Sequence, residues 1–208
     1  MKDSLAIFTG ALLIAHASMA LSATAVDLSV KGAITPSACT PSLSDEGIVD
    51  YGKISAKDLA PVWTTPLPPV TLQLSVDCDA STLFALHGKD NRLGSSNFTT
   101  LNYMYGLGLV NGNEKLGAYL IGVFNPVADE LVYPLYSADN GATWLVNSSG
   151  SYMGHRHWTA FGDSPAPKAL RNIKVDLRIA AQIAPVSGLT LTDEVPLDGS
   201  ATLDVVYL

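Results

Sequence analysis

Apolar residues recur at every second position along several stretches of this chain, and almost nowhere at the three-to-four spacing of a helix. Val70, Leu72, Leu74 and Val76 alternate in this way. So do Ala201, Leu203, Val205 and Tyr207 at one end and Val26, Leu28, Val30, Gly32 and Ile34 near the other. Successive side chains of a strand point to opposite faces, so each stretch predicts a β-strand with one face made to be buried. Further strands are predicted over 48–54, 83–86, 105–110, 116–124, 131–136, 143–146, 157–161 and 173–183, with Asn111-Gly112-Asn113 as a hairpin turn. Only 165–171 leaves room for one helical turn. Many short strands with Gly and Pro between them predict an all-β sandwich.

The first residues predict export. Lys2 and the amino terminus are followed by an apolar stretch from Leu5 to Ala17, too short to span a bilayer, and then by the small residues Ser18, Ala20, Ala23 and Ala25. That pattern predicts a cleavable signal peptide over 1–25, cut after Ala25 or a few residues before it. With no cysteine near the cut and no later run of membrane-helix length, no membrane anchor is expected. The net charge of -7 survives cleavage because Lys2 and Asp3 cancel, which makes nucleic acid and anionic membranes poor partners. Two cysteines in an exported chain predict one disulfide, Cys39 to Cys78; unpaired buried thiols are the alternative. The remaining length suits one domain over 39–208.

Several segments carry a family resemblance. Val26-Asp27-Leu28-Ser29-Val30-Lys31-Gly32-Ala33-Ile34, Cys39 five residues on, the 49–54 segment and the 72–78 strand resemble the first half of a chaperone–usher fimbrial subunit. The stretch 199–208, with its penultimate tyrosine, resembles that family's last strand, while the middle is more similar to an uncharacterised exported, fimbrial-subunit-like bacterial family. The resemblance implies a pilin-type, immunoglobulin-like sandwich that lacks its final strand and is completed by a donor strand from another subunit. In that reading 26–38 is a donor-strand extension whose Val26, Leu28, Val30 and Ile34 fill a neighbour's groove, with Gly32 at a close approach. Ala201, Leu203, Val205 and Tyr207 line the receiving edge, and Leu208 is a chaperone anchor. The implied partners are a periplasmic chaperone, an outer-membrane usher and other fimbrial subunits. The implied destination is a cell-surface fimbrium with a part in adhesion.

One motif points elsewhere. Ser137-Ala138-Asp139-Asn140-Gly141-Ala142-Thr143-Trp144 fits the Asp-box pattern S-x-D-x-G-x-T-W of sialidase propeller blades, but it occurs once and a propeller repeats its blade. It is read as a hairpin device, with Ser137, Asp139, Gly141 and Thr143 in the turn and Trp144 packed beneath. Gly162-Asp163-Ser164 lacks a following leucine and a histidine base. His155 and His157 share a strand face without a third zinc ligand and are read as a solvated edge. Asp45-Glu46 and Asp193-Glu194 sit in turn-rich stretches and make no glycosidase pair. No enzyme, cofactor or metal is therefore expected. The competing expectation is a secreted or periplasmic carbohydrate-binding sandwich using Trp63, Trp144 and Trp158.

Overall fold

In a computed structural model of the protein, residues 38–208 and the single residue Ser29 are described. The predicted leader, and Val26, Leu28, Val30, Gly32 and Ile34, lie outside the described residues. The strands are β1 (Cys39–Leu43), β2 (Thr65–Pro66), β3 (Val70–Thr82), β4 (Phe84–Asp90), β5 (Tyr105–Gly106), β6 (Leu109–Val110) and β7 (Glu114–Lys115). They continue with β8 (Gly117–Ala128), β9 (Tyr133–Ser137), β10 (Leu145–Val146), β11 (Ser151–Tyr152), β12 (Trp158–Gly162), β13 (Leu170–Ile183) and β14 (Ala201–Tyr207). All pair antiparallel. One sheet has the order β1-β3-β13-β8-β11, with β2 also on β13 and β5 also on β8; the other has the order β10-β9-β12-β4-β14. The predicted all-β sandwich is the fold observed.

The period-two pattern places the core. Leu72, Leu74 and Val76 of β3, Val175 and Leu177 of β13, and Ile121 and Val123 of β8 are buried together with Phe84, Leu86 and Phe161 from the other sheet. Burying each such side chain stabilises the fold by roughly 1.5 to 3 kcal/mol before entropy costs. Gly88 of β4 is required where it stands, because a Cβ there would run into the Tyr105 hydroxyl, which donates to the Met153 carbonyl at 2.9 Å.

In order across the sheet, β1, β3, β13 and β8 occupy the A, B, E and D places of an immunoglobulin sandwich. β4 and β14 lie side by side as C and F in the second sheet. In that plan a G strand pairs with the outer edge of F. Among the described residues, none pairs with the outer edge of β14.

Four elements depart from the sequence reading. Segment 48–54 is not a strand: Gly52 takes φ +61° and its N–H donates to Asp50 Oδ1 at 2.7 Å, a local turn that breaks any ladder. Segment 165–171 makes no helical turn, since Pro165 and Pro167 lack the needed amides; Ser164 and Ala166 form a bridge and β13 begins at Leu170. The 105–110 strand divides, with β5 on β8 and β6 on β7 around Asn111 (φ 49°) and Gly112 (φ 80°). β8 continues through Pro126 because the ladder with β13 shifts register there, leaving no bond for the missing amide to make.

Candidate assembly groove

The inward residues of β14 are only half covered. Ala201, Leu203 and Val205 pack against the core yet are half-buried, whereas their partners across the ladder on β4, Asp90, Gly88 and Leu86, are buried. The uncovered side faces a groove between β14 and β1. Leu43, Leu72, Ile179, Ala181 and Leu203 line its middle, and Pro41, Leu74 and again Leu203 line one end. At the other it continues past Tyr51, Ile54, Leu59 and Leu197. An apolar channel beside an unpaired strand edge suits an extended segment whose alternate side chains are apolar.

Local bonds hold the walls in place. Cys39 and Cys78 lie directly opposite in the β1–β3 ladder and form the predicted disulfide, which fastens the β1 wall to the sheet. The Cys39 N–H donates to the Tyr207 hydroxyl at 2.9 Å and links the start of β1 to the end of β14. Before β14, Arg92 grips Asp198 through two bonds of 2.8 and 2.6 Å, which keeps the Asp198 carboxyl below its usual range. The far end of the groove has an acidic rim of Asp50, Asp193 and Glu194, with Lys53 paired to Glu194 at 2.9 Å. Of the receiving-edge residues read from the sequence, Ala201 and Leu203 line the groove, Val205 packs on the core beside it and Tyr207 reaches β1. Leu208 is exposed, with its N–H donating to the Leu83 carbonyl at 3.1 Å. Leu43, Tyr51, Ile54, Leu59 and Leu197 were missed as lining residues. The signal for two of them lies in the 48–54 stretch, whose sequence predicts a strand but whose Tyr51 and Ile54 line the groove.

The Asp-box residues form a turn clip between β9 and β10. Asp139 accepts from the Thr143 hydroxyl at 2.6 Å and the Thr143 N–H at 2.9 Å, and from the Ser137 hydroxyl at 2.7 Å. Ser137 Oγ also accepts from the Gly141 N–H at 2.8 Å. Asn140 and Gly141 both take positive φ, and Trp144 is buried with Ala85, Leu135 and Ala160 on the outer face of the second sheet. The Thr143 bonds, and then that from Ser137, hold the Asp139 carboxyl down at about 2. A depressed carboxylate contributes stability that is present above its unfolded value near 3.9 and lost as pH falls toward the folded value. The melting-temperature gap between wild type and Asp139→Ala should thus be constant above about pH 5 and shrink toward pH 2. A gap independent of pH over that range would contradict this role.

The remaining chemical motifs lie apart. His157 is buried against the Tyr136 ring at 4.6 Å and His155 is partly buried, so the solvated-edge reading is corrected: these rings pack inward under the turn that precedes β12. Burial pushes both below the ordinary histidine value. Among the described residues no group of three or more His, Cys, Asp or Glu side chains could hold a metal ion. Asp163 pairs with Lys168 at 2.9 Å. Trp144 is buried and Trp158 packs against it, which leaves Trp63, at 76% exposure, as the open tryptophan of the three.

Residues 28–102, which include both cysteines and β1 to β4, match a family described as "Protein of unknown function (DUF1120)". The chain is 29% identical over 235 positions to "Protein GltF" of Escherichia coli (strain K12), covering 93% of this chain and 92% of that protein. It is 25% identical over 237 positions to "Uncharacterized protein YhcF" of the same strain, covering 95% and 98%. The sequence is therefore similar, over nearly the full length of each, to two Escherichia coli proteins.

Proposed function

We propose that the chain is a structural subunit of a chaperone–usher surface fimbria that polymerises by donor-strand exchange. The observation that carries this reading is the groove between β14 and β1, apolar in its middle and bordered by a strand edge that no described residue pairs. An apolar channel open to water is costly and an unpaired strand edge beside it is a template for pairing, so a strand that covers both is favoured. The segment 26–34 has the matching pattern, with Val26, Leu28, Val30 and Ile34 on one face. Burying four such side chains contributes on the order of 6 to 10 kcal/mol before ordering costs. A periplasmic chaperone fills the groove first, an outer-membrane usher exchanges it for the 26–34 strand of the next subunit, and the fibre extends from the cell surface. The chain performs no catalysis in this role.

Amide hydrogen exchange tests the reading. In the isolated chain, those β14 amides not bonded to β4 should exchange rapidly. A synthetic 26–34 peptide should slow them by about tenfold or more. Equal rates with and without peptide, whether fast or already slow, would contradict it.

A further inference from the structure

We propose that consecutive subunits make a second, body-to-body contact, in which the exposed Val62 and Trp63 of one subunit pack against the Leu83, Tyr207 and Leu208 pole of the subunit that donates its strand. This rests on the strand-exchange reading above. The two patches lie at opposite poles of the domain, because β13 pairs with Thr82 through Leu170 at one end and with Thr65 through Ile183 at the other. Thirteen strand steps put about 43 Å between those ends. Val62 and Trp63 are 66% and 76% exposed, and Leu83, Tyr207 and Leu208 are 41%, 43% and 46% exposed. The Trp63 loop is held in its projecting shape: the Ala60 N–H donates to Thr65 Oγ1 at 2.8 Å, and Ala60 and Pro61 carbonyls each accept a backbone bond of 3.1 Å from Val186 and Ser187.

Chain connectivity identifies the occupant as a second copy. Each subunit's own extension departs from Cys39, which is bonded to Tyr207 and so lies at the Tyr207 pole. A donor whose body sat at that same pole of its acceptor would fill the space from which the acceptor's own extension must leave. An open head-to-tail chain therefore brings the donor's body to the other pole, where Leu59 lines the groove mouth and the loop continues to Trp63. Only residues 35–38 separate the donor strand from Cys39, a span of about 13 Å. So short a tether presses the donor's leading pole, with Leu83, Tyr207 and Leu208, onto the acceptor's groove mouth. Apolar surface then meets apolar surface, and because the two patches differ the contact does not close on itself.

Tryptophan emission tests this, since Trp144 is buried and Trp158 packs against it, and a Trp63→Phe variant assigns the Trp63 signal. Iodide quenching is measured on the full chain alone, with the 26–34 peptide, and as heat-resistant polymer. The polymer should show a severalfold drop in Trp63 quenching and a blue shift, whereas the peptide, which carries no body, should leave both unchanged. Polymer built from Leu83→Asp subunits should still form and should regain most of the Trp63 quenching. Polymer in which Trp63 stays as accessible as in the single chain overturns the proposal. So does a drop produced by the peptide alone, or by soluble glycan added to the single chain. Failure to bind peptide or to polymerise at all sinks strand exchange first and this contact with it.

Discussion

Val30→Asp should stop fibre growth while leaving the subunit's complex with its chaperone intact. In the proposed strand exchange this residue belongs to the face of the 26–34 segment that enters a neighbour's groove, whose middle is lined by Leu43, Leu72 and Ile179 and by no lysine or arginine. An unpaired charge in such surroundings costs several kcal/mol, comparable to the whole contribution of the four apolar side chains. The variant's own groove is unaltered, so it still accepts a strand and cannot give one. Leu203→Asp should fail earlier. Leu203 packs on the core and faces both the middle and one end of the groove, so a charge there damages the receiving surface for chaperone and neighbour alike. Co-expression with the cognate chaperone and usher should show Val30→Asp as periplasmic complex without polymer, and Leu203→Asp as degraded chain. Equal polymer yield from Val30→Asp and wild type would contradict the account.

Replacing Cys39 and Cys78 by serine should lower stability by about 4 kcal/mol, the chain-entropy value for a loop of some forty residues; the two lie 39 positions apart. The consequence reaches the groove. Among the described residues β1 pairs only with β3, and it contains Pro41, which cannot donate to a ladder, so the bridge supplies much of what keeps this wall in place. Denaturant unfolding of wild type and the double serine variant measures the difference, and the intact mass of wild type should show one bridge. Alkylation of both cysteines without reduction, or a stability change under about 1 kcal/mol, would contradict this.

Much of the sandwich was legible because its strands are half-buried and therefore alternate. β14 was read from Ala201 to Tyr207, and β3 and β13 were placed by Leu72, Leu74, Val76 and Ile173 to Ile183. β1 was not read as a strand, since five residues of edge with a proline and three exposed side chains carry no periodic signal. Segment 48–54 misled for the opposite reason: Val49 and Tyr51 alternate because they face the groove, while the turn at Gly52 denies them a ladder. The strand Ala201–Tyr207 was visible in sequence, but the rest of the groove lining comes from Leu43, Tyr51, Leu59 and Leu197, which are remote in the chain. The histidines were misjudged because burial of His157 is set by the Tyr136 ring, which no spacing reveals.

Wild-type chain, expressed with its chaperone and usher and then heated in detergent, gives the most direct measurement of the central claim. Strand exchange predicts a ladder of heat-resistant multimers, with the 26–34 segment of each subunit protected from protease and the chaperone absent from the ladder. A stable monomer that folds without chaperone and forms no ladder would contradict it.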